Sequence, residues 1–457
     1  MADDILRISD DVEEMTLDML QKFIAKWDAQ VADRFEPLYA AYCNDYAIFH
    51  KAPKDPIVVV QDGDNQKVGA KPDHRVAANF AAYITDTFEG YFLGHAIKAT
   101  SDDQSISEYV NFLDAYNDMD DGNAELSRLV SIFGRAYEMY YTDESGVESI
   151  AHLSPMDAFA VYDEGIKPKI RYFVRVYTDT NGVRRGSISD AENVTYFSFE
   201  NGLHWSTEPD PHGFDGVPAV EYVQNEARRG IFENVLNLIN EFNEVLSEKS
   251  NDIDSFCDAI LAVYGLKLED GDLVDIRSRR VINLYGQLSG NERAEFLSRP
   301  NADGSQEHQL DRLMNLIFTI SMVVDTQDDR FADTSGTALK LKMNNMSNLA
   351  RAKERKFVSG LNRRYRILFS NPVARMPEDG WTTIKFTFTP NLPADIEGEA
   401  NAVSNLTGIV SRKTQLGILS CVDDVGAEID QINREHDEEG YETDYPTNRT
   451  TPGGDAE

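Results

Sequence analysis

The sequence predicts an α+β protein, mainly helical. Three observations predict it. Apolar residues recur at helical spacing over long stretches at both ends of the chain, and a central block alternates as short strands. Hydrophobic residues make up 41% of the composition, enough for a sizeable core. A length of 457 residues allows about two to four domains, or one elongated subunit with distinct regions.

Residues 12 to 50 read as helix, with Met15, Leu17, Leu20, Phe23, Ile24 and Trp27 at helical spacing. A polar connection, His50 to Pro56, leads to a β-type run, Ile57 to Val60. A second helix is expected from Arg75. Its apolar residues Ala77, Ala78, Phe80, Ala81, Ile84 and Phe88 lead to Gly90-Tyr91-Phe92-Leu93-Gly94, where glycines flank aromatic residues and indicate a tight stop. Residues 107 to 119 and 124 to 140 read as two more helices. Beyond Thr142 the pattern becomes strands: Ile170 to Tyr177, Val183 to Ser189 and Val194 to Phe199, with the turn Asp179-Thr180-Asn181-Gly182 between the first two.

A long helical stretch runs from Ile231 to about Cys257. Ile231, Val235, Leu238, Ile239, Phe242, Val245 and Leu246 form one stripe; Glu233, Asn237, Asn240, Glu241, Glu244 and Glu248 form the other face. Residues 258 to 300 are loop-rich around a β-like run, Asp275 to Tyr285. The helix expected over Gln306 to Val324 is apolar on nearly every side, so neighbours must cover it. After a polar break, Asp325 to Asp333, a very long helix is expected from Thr334 to about Phe369, because Asp333, Thr334 and Ser335 are good capping types. A strand over Thr383 to Thr389 and helices over Asp395 to Val410 and Asp424 to Asp437 follow. The tail, Gly440 to Glu457, reads as disordered. No internal repeat is present.

With 44 Lys and Arg against 79 Asp and Glu, the formal net charge is −35. Such a chain does not seek nucleic acid, since binding DNA needs cations to replace its counterions. The acidity serves solubility, or it makes a surface that passes DNA without gripping it. Against this background one helix is basic: Lys340, Lys342, Arg351, Lys353, Arg355, Lys356, Arg363, Arg364 and Arg366 face a single acid, Glu354. Either these cations pair with acids on neighbouring elements or subunits, or some of them, foremost Lys340 and Lys342, face DNA phosphates. Cys43, Cys257 and Cys421 are odd in number and far apart, which speaks against a disulfide framework and for a reducing compartment. Met1 to Asp11 lacks a signal-peptide core, and no apolar run approaches the ~20 residues of a membrane span. A soluble chain made in the cytoplasm is expected.

No GxxxxGK[ST], HExxH, CxxC or GxSxG pattern occurs, and the eight histidines are scattered. No catalytic residue, metal or cofactor is expected. Asp325, Asp328, Asp329 and Asp333 invite a two-metal nuclease reading. A solvated loop is preferred, because carboxylates in one loop rarely converge without a sheet to hold them.

Several blocks, weak singly and specific together, carry a resemblance. They are Tyr42-Cys43-Asn44-Asp45-Tyr46 with Ile48 and His50; Asn79 to Gly94 with His95-Ala96-Ile97; and Gly134-Arg135-Ala136-Tyr137-Glu138. Further along stand Leu153-Ser154-Pro155, Phe159 to Asp163, His212 to Tyr222, Phe232-Glu233, Ser250-Asn251-Asp252, Phe256 to Leu261, Asp333 to Lys340 and Phe388 to Pro393. From about residue 35 to 437 their order resembles the portal proteins of tailed phages, of the siphophage type found in Gram-positive hosts.

The resemblance implies a portal fold of wing, stem, clip and crown, assembled as a dodecameric ring with an axial tunnel. Carried over, residues 1–228 are wing, 229–250 and 305–325 two stem helices and 251–304 the clip. Residues 326–336 are a tunnel loop, 337–394 a long wing helix and strand, 395–439 the crown, and 440–457 an acidic tail. The chain departs from the family in being on the short side and in its acidic tail, which bears on the size of the crown. The implied partners are further copies of the chain, double-stranded DNA in the tunnel, the terminase large subunit, head-completion or adaptor proteins, and the major capsid and scaffolding proteins, with no membrane. The implied location is the portal vertex of the virion.

Asp328, Asp329, Arg330, Phe331, Asp333, Thr334, Ser335, Lys340 and Lys342 are the candidates for facing DNA. Glu233, Glu241, Glu244 and Glu248 are the candidates for the tunnel wall, or equally for a solvent face. Arg277, Arg279 and Arg280 are the candidates for an interface, beside a strand expected to join a neighbouring subunit's strand. The alternative is another oligomeric capsid or head-completion protein without a DNA tunnel.

Overall fold

The computed structural model describes residues 5–54, 57–62, 65–69, 72–257, 260–264, 281–284, 293–297, 303–325, 341, 343–391, 396–419, 421–422 and 425–442. They fall into two compact units. One spans Met1–Thr326 and Met343–Asn391; the other takes the described parts of Gln327–Lys342 and Leu392–Glu457. The architecture is α+β.

In the first unit β1 (Leu6–Arg7) precedes α1 (Leu17–Gln30), which starts at Thr16, whose hydroxyl accepts from the Met19 amide. The expected Leu20, Phe23, Ile24 and Trp27 are its buried face. The helix passes through one π turn, Val31–Phe35, into α2 (Glu36–Tyr42) and ends where Asn44 adopts a positive φ. β2 (Ile57–Asp62) and β3 (Asn65–Gly69) form an antiparallel pair.

α3 (Phe80–Phe92) begins later than the sequence suggested, at Asn79, whose side chain accepts from the Ala82 amide. The preceding residues are extended because their amides are held elsewhere, as described below. β4 (Lys98–Thr100), α4 (Gln104–Tyr116) and α5 (Met119–Phe133) follow. The helix expected to reach residue 140 stops at Phe133. Gly134 has φ +80°, and a Cβ there would run into the backbone of Arg228. The chain continues as β5 (Arg135–Thr142), so the strands begin before Thr142.

β6 (Glu148–Leu153), β7 (Ala158–Tyr162), β8 (Ile170–Thr178), β9 (Arg184–Ser189), β10 (Asn193–Ser198), β11 (His204–Trp205), β12 (Asp210–Pro211) and β13 (Ala219–Val223) build two sheets. The larger has the order β1-β7-β8-β9-β10-β11, with β12 also on β10; the smaller is β13-β5-β6. The β8–β9 turn is the one expected: Gly182 takes φ +78°, and the Asp179 carboxylate accepts from the amides of Asn181 and Val183. α1 covers the larger sheet, with the Trp27 ring 5.3 Å from that of Phe159 and its indole donating to the Pro155 carbonyl at 2.8 Å.

After a 3₁₀ turn, Glu233–Val235, come α6 (Leu236–Cys257) and three short strands, β14 (Ile260–Tyr264), β15 (Val281–Leu284) and β16 (Arg293–Leu297). Their sheet order is β15-β14-β16, with β14 parallel to β15 and antiparallel to β16. α7 (Asp303–Ser321) packs against α6. It is more amphipathic than the sequence suggested. Leu310, Leu313 and Ile317 are buried, while Glu307, Asp311, Arg312 and Asn315 are exposed. Leu316 and Ile320 remain as an uncovered apolar pair one turn apart.

α8 (Asn344–Ser370) is the described part of the long basic helix. It begins at Asn344, after Met343; residues 334–340 and 342 of the expected helix lie outside the described residues. Asn344 and Asn345 suit a helix start better than an interior. Gly360 lets α8 lie directly on the Tyr222 ring of β13. β17 (Lys385–Thr387) pairs with β4. The second unit holds α9 (Ile396–Asn405), α10 (Arg412–Leu416) and α11 (Val425–Glu442); Gln415 of α10 donates to the Leu406 carbonyl just after α9 at 3.0 Å.

Candidate functional site

α6 presents three faces, each set by its sequence. Val235, just before it, and Ile239 and Phe242 are buried against the core that includes α3 and α7. Asn243, Ser247 and Asn251, spaced by four, are a second buried row. Opposite them lies extended chain: the amides of Ala78, Val76 and His74 donate to Asn243 Oδ1, Ser247 Oγ and Asn251 Oδ1 at 2.9, 2.9 and 2.6 Å. Four helical residues rise about 6 Å, close to the ~6.6 Å of two extended residues, so the two periodicities stay in register over three bonds. This ladder holds residues 74–78 out of helix and satisfies part-buried amides that have no strand partner.

The third face is the acidic one. Glu241, Glu244 and Glu248 are exposed in one row with Asn237. Lys51 reaches Glu244 at 2.5 Å and Lys54 reaches Glu248 at 2.8 Å, both largely in solvent. Gln309 of α7 stands 3.5 Å from Glu241. Glu233 does not belong to this row. It lies in the 3₁₀ turn, largely buried, 3.0 Å from Arg34 and also paired with Arg229. Burial raises its pKa, but Arg34 and its other donors outweigh that and leave the carboxyl below the usual range. Paired in this way, it locks the entry into α6.

The cations of α8 divide by direction. Lys353 is fully buried between the rings of Phe88 and Phe92 and donates to Glu89 at 2.6 Å, to the Ser127 carbonyl at 2.9 Å and to Ser131 Oγ at 2.8 Å. All three of its protons are used. Burial lowers its pKa, and Glu89 opposes that only in part. Arg364 forks onto Glu138 through Nε and Nη2, and Glu138 also accepts from Tyr140 and Tyr222 at 2.7 and 2.9 Å; the same Nη2 donates to Asn123 Oδ1 at 2.7 Å. Burial pushes the Glu138 carboxyl up, but Arg364 and His152 overcome it and hold it at about 2. Lys356 pairs with Glu226 at the surface. For these three, pairing with neighbouring acids is the correct reading. Arg351, Arg355, Arg363 and Arg366 face outward.

Asp328, Asp329, Arg330, Phe331, Asp333, Thr334, Ser335, Lys340 and Lys342 lie outside the described residues, as do Arg277, Arg279 and Arg280. Of the β-like run beside those arginines, only 281–284 is described; it is β15, which pairs with β14 of its own chain and, among the described strands, occupies an edge of the sheet. Among the described residues no group of His, Cys, Asp and Glu is arranged to hold a metal ion, and no helix is long and apolar enough to cross a membrane. Sequence reasoning missed Glu89 and Glu138 as partners. The signal was present: Lys353 and Arg364 continue the stripe Phe357, Leu361, Leu368, where a charge needs a buried counterion.

Residues 20–441 match a family model described as phage portal protein, SPP1 Gp6-like. Over 395 residues the chain is 24% identical to the portal protein of Bacillus phage SPP1, covering 80% of this chain and 76% of that protein.

Proposed function

Because the chain belongs to the SPP1 Gp6-like phage portal protein family, we propose that it forms a dodecameric ring at one capsid vertex, through which double-stranded DNA is packaged and ejected. The observation that carries this reading is the length of the match, residues 20–441, which takes in the helix pair, the small sheet and the terminal helices together. The family is structural, and the chain's role is architectural and electrostatic. Its place is the virion, after synthesis in the host cytoplasm.

In this reading α6 and α7 are the stem, and Glu241, Glu244 and Glu248 repeat around the ring as a negative wall. Such a wall repels phosphate and keeps the DNA free to slide. Residues 326–336, with Lys340 and Lys342 beyond them, contact the DNA. Arg277, Arg279 and Arg280 lie in the clip, where the β15 edge accepts a neighbour's strand and the terminase large subunit and head-completion proteins dock in turn. Leu316 and Ile320 of α7 are covered by the adjoining copy. Residues 395–439 form the crown, toward the capsid interior. Major capsid and scaffolding proteins surround the ring.

Labelling the chain on assembled particles and imaging them tests this. Label confined to a single vertex is expected. Label spread over the capsid surface, or along a tail, rejects the reading.

A further inference from the structure

We propose that the outward face of α8 is an assembly seam, a row of arginines that docks on carboxylates of a second copy of this chain. Arg351, Arg355, Arg363 and Arg366 are exposed. At about 100° per residue they fall within roughly 120° of arc, and at 1.5 Å per residue they span about 22 Å. Among the described residues none of the four has an ion-pair or hydrogen-bond partner, and no other helix or strand carries four such arginines on one face. The same helix shows what its cations do when acids are in reach: Lys353, Lys356 and Arg364 are all paired.

The choice of occupant follows from charge. Each copy carries a formal net charge of −35, so copies repel one another at long range. Contact between such copies is favoured where one face is locally cationic, and this row provides one. The chain supplies the complement in quantity, with 79 acids against 44 Lys and Arg. All four positions are arginine, whose planar fork binds carboxylates in bidentate fashion. Duplex DNA offers phosphates instead. A fixed row of arginines gripping phosphates, however, opposes the sliding that a conduit requires. The seam rests on the ring proposed above.

The test compares the wild-type full chain with R351E/R355E/R363E/R366E and with the four-glutamine variant. Light scattering over a concentration series reports assembly, and near-ultraviolet circular dichroism reports folding. The side chains are exposed, so folding is expected to be unchanged. Assembly of the glutamate variant is expected to weaken roughly 10- to 100-fold, four surface pairs acting together, with the glutamine variant in between and the wild type weakened by salt. Variants that assemble like the wild type overturn the seam and leave the ring standing. Variants that assemble normally but lose duplex DNA binding in a gel-shift assay overturn it in favour of a nucleic-acid face. A wild-type chain that never self-associates overturns both the seam and the ring.

Discussion

Replacing Arg364 with methionine removes one partner of a buried pair, and the structure sets the size of the effect. Glu138 is fully buried and its carboxyl sits at about 2, against an ordinary value of 4.5. That difference corresponds to about 3 kcal/mol of stabilisation of the charged form. Without Arg364, His152 at 3.4 Å and two tyrosine hydroxyls remain to hold it. Asn123 also loses its donor, and the Tyr222 ring loses the guanidinium 5.9 Å from its centre. The expected loss is about 3–5 kcal/mol. Guanidinium unfolding followed by tryptophan fluorescence measures it. E138Q added to R364M is expected to recover a substantial part, since the uncompensated charge is then gone. A single R364M variant within about 1 kcal/mol of wild type would refute the claim that this pair anchors α8 to the β5–β13 sheet.

Three further predictions follow from the same geometry. Glu138 contributes stability that is complete above about 4.5 and is lost as pH falls toward about 2; Glu221 and Glu233 are also lowered and share this sign, while burial raises Asp114 in the opposite direction. Denaturation midpoints measured from pH 6 down to pH 3 are expected to fall, and a flat profile contradicts it. N243A and S247A each leave a part-buried amide without its acceptor and are expected to cost about 0.5–1.5 kcal/mol, with faster hydrogen exchange at Ala78 and Val76 respectively; unchanged exchange refutes the ladder. K340A/K342A is expected to slow DNA packaging or reduce the DNA retained without changing ring size, and a wild-type packaging rate rejects the contact.

The parts of the fold legible in the sequence are those governed by one local period. The apolar spacing of α1, the Asp179–Gly182 turn and the amphipathic α6 needed no long-range information. Misplaced boundaries had non-local causes. Tyr137 and Tyr140 continue the apolar pattern of α5, and only the left-handed Gly134, wedged against Arg228, shows why the chain becomes strand there. Residues 74–78 have helical composition, yet a row of side chains some 170 positions away holds them extended. Charge was legible as an anomaly but not as a pattern of pairs. The sequence marks α8 as basic; which cations turn inward depends on Glu89 and Glu138, far away in the chain. The same holds for Glu233, grouped by spacing with Glu241, Glu244 and Glu248 but claimed by Arg34.

The most direct test of the central claim is the mass of the purified full chain in solution, measured with electron micrographs of the same fraction. The account predicts closed rings of about a dozen copies around an open axial channel. Compact dimers, or closed particles with no channel, would contradict it.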